Sequence, residues 1–304
     1  MAWRGIHIGQ PARIGLRNQQ LLVAQADAET TIPIEDIAYL VLDTPQTTLT
    51  GAVLTALAEA NVVLIQSDAR HHPAMMALPF HGHHKQAEIA HLQIETTAPF
   101  RKRTWQLIVK AKIDNQRSHL ASLGRDPGVL PALITRVKSG DPENLEAQAA
   151  RAYWSRLFEN YRRNDEADLR NSMLNYGYAI VRAALARAIT AAGLIPAFGL
   201  HHASVTNAFN LADDLIEPFR PSVDALAMFL SAAEGRTSTE LTLDDRRALV
   251  GAMTAPVRME QETMTLLAAT EQCAFSLVRA IREKNPDAVK LPAFLPRHSE
   301  NVAA

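Results

Sequence analysis

The chain has 304 residues, 47% apolar and 21% charged, with a formal net charge of −1. Those values fit a globular protein of one or two domains and exclude disordered, collagen-like and coiled-coil chains. Bulk charge does not announce a nucleic-acid binder, and a single cysteine, Cys273, excludes an intrachain disulfide and a Cys-based zinc knuckle.

Cys273 reads as a small buried hydrophobe. The longest apolar runs, such as Ile37–Leu42 and Ala225–Leu230, fall far short of the roughly 18 residues of a membrane span. The opening Met1-Ala2-Trp3-Arg4-Gly5-Ile6 lacks the apolar core of a signal peptide. A soluble, cytoplasmic protein with no membrane partner is expected.

Residues 1–80 read as a β-rich domain, β-sandwich-like with one helix. Short runs rich in Ile, Leu and Val occur at Gly5–Gly9, Ala12–Arg17 and Gln20–Gln25, with a hairpin break at Asn18-Gln19. Ile37–Leu42 and Val62–Ile65 read as buried strands. Thr47–Ala60 places Leu49, Val53, Leu54, Leu57 and Ala58 on one helical stripe. Residues 81–85 read as a linker. Residues 86–285 read as a larger all-α C-terminal catalytic domain. Its expected helices are Lys85–Glu95, Pro99–Leu123, Pro127–Ser139, Pro142–Arg163, Leu169–Ala192, Ala208–Glu217, Pro221–Ala233, Thr242–Ala255 and Glu260–Glu283. Residues 286–304 carry Pro286, Pro292 and Pro296 and read as an irregular tail.

Charge is unevenly placed. Residues 101–117 hold Arg101, Lys102, Arg103, Lys110, Lys112 and Arg117 against one acid, Asp114. Such a strip is either a phosphate-binding face or a solvated helix face. The markers of phosphate-loop nucleotide hydrolysis, serine hydrolysis and zinc proteolysis are absent: no G-x-x-x-x-G-K-[ST], no G-x-S-x-G, no H-E-x-x-H. His81-Gly82-His83-His84 begins like a metallohydrolase ligand run, but Lys85 and Gln86 stand where Asp and His are required. It reads as a polar interdomain loop.

Two acidic positions, Glu146 and Glu217, are harder to explain as ordinary surface charge. Asp141 and Pro142 suit a helix N-cap and first turn. Glu146 then falls on a stripe with Ala150, Tyr153 and Leu157, where a buried acid needs a cation or an Arg. Asp213 and Asp214 fit a first helical turn. Glu217, beside Ile216 and Phe219 near a helix end, needs a partner such as Arg220 or a cation. His201 and His202 precede these acids. In one straight helix the fifteen residues from His202 to Glu217 would span roughly 22 Å, far beyond metal–ligand distances of about 2.0–2.6 Å. Shared ligation therefore requires a bend, for which Ser204–Asn210 is polar enough. Glu146, His202 and Glu217, with Asp214 adjacent, would suit a hard divalent ion of the Mg2+ or Mn2+ kind.

The run Gly199-Leu200-His201-His202, Asn207, Asn210-Leu211-Ala212-Asp213-Asp214-Leu215-Ile216-Glu217-Pro218-Phe219-Arg220-Pro221 and Asp224 resembles the signature of the CRISPR-associated integrase of spacer acquisition (CRISPR-associated protein one). Leu145–Trp154, Asn171–Ile180 and Trp105–Gln116 resemble its acidic-ligand helix, the following helix and its basic helix. The detail is similar to the type II branch. The resemblance implies that Glu146, His202 and Glu217 are metal ligands, with Asp214 assisting and His201 able to substitute for His202. It implies a metal-dependent endonuclease and integrase that joins the 3′-OH ends of a prespacer duplex to the leader-proximal CRISPR repeat. Phosphate contacts are expected from Arg101, Lys102, Arg103, Lys110, Lys112 and Arg220. Also implied are a homodimer through the β-domain and a dimer of CRISPR-associated protein two bridging two homodimers. The type II branch admits its RNA-guided effector nuclease as a further partner. A small-substrate phosphodiesterase and a non-catalytic DNA scaffold remain as alternatives from the residues alone.

Overall fold

The computed structural model describes residues 2–26, 28–80, 82–233, 236 and 238–296. His81 and the end of the expected tail, 297–304, lie outside the described residues.

The N-terminal part contains β1 (Arg4–Ile8), β2 (Ala12–Arg17), β3 (Gln20–Gln25), β4 (Ala28–Pro33), β5 (Ile37–Leu42), β6 (Thr47–Leu49), α1 (Gly51–Glu59), β7 (Val63–Ser67) and β8 (Pro73–Ala77). Two four-stranded sheets form, in the orders β4-β3-β2-β6 and β1-β5-β7-β8. The break at Asn18-Gln19 is a two-residue turn with both φ angles positive, which matches the twist of the flanking β2 and β3. In the second sheet β1, β5 and β7 run parallel. All six residues of β5 are buried, because this sheet is covered on both faces. Ile37, Leu40 and Leu42 face Ile14, Leu21, Val23 and Val53 inside the β-rich lobe. Ala38, Tyr39 and Val41 face the helical core instead.

The remainder contains α2 (Gln86–Ile94), α3 (Ala98–Ser122), α4 (Leu130–Arg136), α5 (Leu145–Leu157), α6 (Leu169–Ala191), α7 (Asn210–Leu215), α8 (Arg220–Ser231), α9 (Leu243–Val250), β9 (Pro256–Met259), β10 (Glu262–Thr265), α10 (Leu266–Glu283) and β11 (Ala293–Phe294). Helix α6 is buried on every side from Ala183 to Thr190, and before that only the stripe of Ser172, Asn175, Ala179 and Arg182 reaches the surface, so it forms the axis of the lobe. At Gly177 a β-carbon would stand 2.5 Å from Val223, so only glycine lets α6 approach α8 this closely. Cys273 is fully buried on α10, as a small hydrophobe would be.

The larger part is mainly helical but not wholly so. The helix expected from Glu260 begins only at Leu266, where Thr265 caps it. The residues before it form the antiparallel hairpin β9–β10, turning at Glu260 with positive φ. The tail expected to be irregular contributes β11, which pairs with β9 and buries Phe294. Strands β4 and β8 lie outside the sequence reading, because both expose most of their residues and no buried stripe marks them. The helix expected over Thr47–Ala60 begins only at Gly51, capped by Thr50, and Thr47–Leu49 form β6 alongside β2 instead.

The lobes are joined by a buried charge cluster. Asp43, fully buried at the end of β5, accepts from Arg246 Nε of α9 at 2.5 Å, from His7 Nε2 at 3.1 Å and from His71 Nδ1 at 3.2 Å. Tyr39 Oη donates to the carbonyl of Val250 at 2.9 Å beside it. Replacing Asp43 by Ala would leave the Arg246 guanidinium buried without its carboxylate. We expect a loss of about 3–5 kcal/mol, measured as a lower urea midpoint, with partial recovery in the Asp43→Ala/Arg246→Met double variant.

Candidate functional site

Helix α3 is the wall on which the site is built. Trp105, Ile108, Val109, Lys112, Ile113 and Gln116 lie on its buried stripe. Asn115 beside them fixes two distant segments. Its Nδ2 donates to the carbonyls of Pro218 at 2.7 Å and Pro292 at 2.9 Å, and its Oδ1 accepts from Phe294 N at 3.0 Å. The turn carrying Glu217 is thereby held against α3.

Glu146 enters from the start of α5. Asp141 serves that helix, though not as its N-cap. Asn144 is the cap, and the Asp141 carboxylate accepts from Leu145 N at 2.9 Å and Glu146 N at 3.0 Å. The buried stripe of α5 is Leu145, Ala149, Tyr153 and Leu157, one residue off the expected stripe at its start. Glu146, Ala150 and Trp154, spaced four apart, therefore line a cleft at its edge.

Glu146 and Glu217 meet in this cleft, and a cation stands between them. Lys112 Nζ lies 2.5 Å from Glu146 Oε1 and 2.5 Å from Glu217 Oε2. Arg220 Nε donates to Glu217 Oε1 at 3.0 Å, so Glu217 has the Arg220 partner its position required. Burial alone would raise the Glu217 pKa. The Arg220 and Lys112 charges outweigh it and hold the carboxyl well below its ordinary range. Burial likewise opposes the Lys112 ammonium, and Glu217 and Glu146 outweigh that, raising its pKa. The cleft, about 240 Å³, is also lined by Gln116, Arg163, Tyr178 and Asp224.

His202 does not join the two glutamates. Its Nδ1 is 2.7 Å from Asp214 Oδ1, and its ring meets Trp105 edge-on at 5.8 Å. It lines a separate cavity of about 540 Å³ that also holds Arg101, Phe198, Ser204 and Val205 and shares no lining residue with the cleft. The Asp214 hydrogen bond raises the His202 pKa against the effect of burial, and the Glu217 and Asp213 charges add to it. His201 stacks flat on Trp105 with ring centroids 4.2 Å apart.

The expected auxiliary acid, Asp214, is fully committed to this loop. Besides His202 it accepts from the backbone of Leu200 at 2.5 Å, His201 at 3.0 Å and His202 at 3.1 Å. A β-carbon at Gly199 would lie 2.7 Å from Asp214 Oδ2 and 2.3 Å from the His202 carbonyl, so glycine is required for the loop to close. The bend expected at Ser204–Asn210 is present. It is tied by Asn210, whose amide donates to the carbonyls of Ala197, Ser204 and Asn207 at 2.9–3.1 Å. Asp213 pairs with Arg182 at 2.6 Å.

The basic strip separates into different roles. Lys112, expected to touch phosphate, is buried as the counter-ion of the two glutamates because it faces inward on α3. Arg220 is paired with Glu217 and packs over the Tyr178 ring at 4.4 Å. Arg101 donates to Thr96 O at 2.7 Å and Arg103 to Asp287 at 3.0 Å. Lys102 is exposed and Lys110 half-buried. The signal for Lys112 was in the sequence: a lysine on an apolar helical stripe needs a partner, by the same reasoning that singled out Glu146.

Among the described residues, no three His, Cys, Asp or Glu side chains form a ready metal cage. The donor chemistry nevertheless suits a cation. Two carboxylates from α5 and the Glu217 turn already grip one positive atom. Glu217 Oε2 is buried, and the positive group that faces it is the Lys112 ammonium at 2.5 Å.

The sequence profile described as CRISPR associated protein Cas1 matches residues 6–250. The chain is also 38% identical over 299 residues to the CRISPR-associated endonuclease Cas1 of Neisseria meningitidis serogroup C, covering 97% of this chain and 98% of that one. The chain belongs to the Cas1 family. Its fold is shared with a casposase bound to integration product, at a TM-score of 0.76 and 19% identity over 94% of this chain and 92% of that one. It is shared too with a chain of a Cas6-RT-Cas1–Cas2 complex, at a TM-score of 0.74 and 20% identity, covering 97% of this chain and 37% of that one. The mainly helical lobe below its β-rich lobe is the Cas1 fold.

Beneath the cleft runs a buried polar chain. His119 Nδ1 is 2.7 Å from Tyr153 Oη, which donates to Asp224 Oδ2 at 3.0 Å, and Tyr178 Oη donates to the other Asp224 oxygen. Burial raises the Asp224 pKa to about 7, against the tyrosine hydrogen bonds. Burial pushes the His119 pKa down to about 4, and the Arg125 charge adds to this. Between ~6.5 and about 4 the unfolded chain takes up a proton that the folded chain refuses, so His119 withdraws stability as pH falls across that window. His119→Gln is expected to flatten this acid loss by roughly 3 kcal/mol at the low end of the window, read from urea denaturation at several pH values.

Proposed function

We propose that the chain is a divalent-metal-dependent DNA endonuclease and integrase of CRISPR adaptation. The observation that carries this reading is the convergence of Glu146 and Glu217, from distant segments, on one cation position in a mostly buried cleft of a Cas1-family chain. The name of the Neisseria relative and the integration product held by the casposase support the chemistry.

Glu146 and Glu217 would hold Mg2+ or Mn2+. Asp214 accepts from Nδ1–H of His202 and so leaves Nε2 as that ring's ligating or proton-relaying nitrogen. When bound, the ion would supply Lewis-acid polarisation of a phosphodiester and a lower pKa for the attacking hydroxyl. The reaction is an exchange. A prespacer 3′-OH forms one P–O bond as another breaks at the leader-proximal repeat, and its proton ends on the departing 3′ oxygen. One phosphodiester replaces another, so no nucleotide hydrolysis is needed, in keeping with a sequence that has no phosphate loop. Arg101 of the His202 cavity and the exposed Lys102 and Arg103 lie on α3 and would bind DNA phosphate; Lys110 and Arg220 would do so nearer the cleft. Arg163 and Tyr178 wall the cleft and keep the reacting group beside the two glutamates.

The assembly that fits this reading is a homodimer through the β-rich lobe, two such dimers being bridged by a Cas2 dimer. The fold shared with a chain of a Cas1–Cas2 complex supports it. An RNA-guided effector nuclease of the type II branch would be a further partner.

The test is integration of a short duplex into a repeat-containing plasmid, with and without Mn2+ and Cas2. Wild-type chain is expected to join strands only with the metal. Glu146→Ala, His202→Ala and Glu217→Ala should each lower joining at least ~100-fold while retaining DNA binding, a loss of roughly 2.7 kcal/mol or more in transition-state stabilisation. Near-normal joining by any of them removes that residue from the assignment.

A further inference from the structure

We propose that Lys112 is a displaceable plug: it occupies the metal position in the metal-free protein, and a divalent ion enters only by driving its ammonium onto Gln116. The inference rests on the reading of Glu146 and Glu217 as metal ligands.

The first support is distance. Lys112 Nζ stands 2.5 Å from one oxygen of each glutamate. A divalent ion bridging those oxygens would sit about 2.0–2.6 Å from each, in the same place. Overlap and like charge therefore make the ammonium and the ion mutually exclusive. The lysine is also no surface side chain that has folded over by chance. It is 6% exposed, and its backbone is fixed on the buried stripe of α3 between Trp105 and Gln116.

The second support is how each glutamate is held. Arg220 grips Glu217 Oε1 at 3.0 Å, so that carboxylate stays in place when Lys112 leaves. Glu217 Oε2 is engaged by the Lys112 ammonium at 2.5 Å and not by Arg220. That oxygen is therefore freed for a cation once the ammonium moves away. Glu146 is anchored through its own backbone N–H to Asp141 at 3.0 Å.

The third support is a destination. Gln116 lies one helical turn beyond Lys112, where side chains four apart are neighbours. It lines the same cleft, and its buried Oε1 has no donor. A buried acceptor left unsatisfied costs roughly 1–3 kcal/mol. An ammonium carried on a flexible four-carbon stem can satisfy it without leaving the cleft. The metal-free site is therefore electrically closed by Lys112. Loading it moves one positive charge sideways along α3.

Mn2+ titration calorimetry on the full chain tests this. Lys112→Met keeps the apolar stem and removes the plug, so its dissociation constant for Mn2+ should fall ~10-fold or more relative to wild type, about 1.4 kcal/mol. Gln116→Leu should weaken Mn2+ binding ~3-fold or more by removing the destination. In the wild-type chain, Lys112 should be modified faster by an amine-acylating reagent when Mn2+ is bound, read by peptide mass spectrometry. That measurement decides the matter if the Lys112→Met protein does not fold. The proposal is overturned if Lys112→Met binds Mn2+ no more tightly, or if saturating Mn2+ leaves Lys112 acylation unchanged. Glu217→Gln separates the two readings. If it loses Mn2+ binding while Lys112→Met shows no gain, the metal site stands and the plug fails. If it binds Mn2+ like wild type, the metal site itself is wrong.

Discussion

Two carboxylates cannot remain ionised side by side in a mostly buried cleft unless positive charge lies between or against them. Glu146 and Glu217 meet this constraint with Lys112 between them and Arg220 behind Glu217. A buried ion pair of this kind gives little net stability, because the desolvation of each partner offsets much of the attraction. Its value lies in holding two acids together, ionised, where a cation is needed. The burial of Lys112 and the depressed pKa of Glu217 are two consequences of the same arrangement.

The surrounding architecture exists to keep these charges in register. Helix α3 carries Lys112 and Gln116, and through Asn115 it fixes both the Glu217 turn and the chain near β11. Helix α5 delivers Glu146 because the Asp141 carboxylate closes its first turn. The Asp214 loop orients His202 with three backbone donors and one imidazole, an arrangement that uses all of the acid's capacity. His202 thus belongs to a rigid loop at the edge of a separate cavity, while the two glutamates belong to α5 and to the turn tied down by α3. The His119–Tyr153–Asp224–Tyr178 chain underlies the cleft and joins α3, α5, α6 and α8 by polar contacts within an otherwise apolar core.

Much of the fold was legible where periodicity is long. The 25-residue α3 and the 23-residue α6 were recognisable from their apolar spacing, and their observed ends differ from the expected ones by only a residue. Four-residue strands such as β9 and β10 do not run long enough to distinguish a period of two from the helical period that follows. The expected helix from Glu260 therefore absorbed a hairpin. Strand β11 has two residues and exists only because β9 is there to pair with it.

The sequence by itself determined that Glu146 and Glu217 need cationic partners, since each is an acid placed among apolar neighbours on a helix or turn. It also marked Ser204–Asn210 as polar enough for a bend, which a metal shared by His202 and Glu217 would require because helical rise otherwise separates them too far. Tertiary structure alone decided which cation serves them. Lys112 lies 34 residues before Glu146 in the chain, and its place on the apolar stripe of α3 marks it as needing a partner without saying which acid that is. It likewise decided that Asp214 supports the loop. The reason is physical: a side chain's need for a partner follows from its own surroundings, whereas the partner's identity depends on which distant segments the packed core brings within a few ångströms.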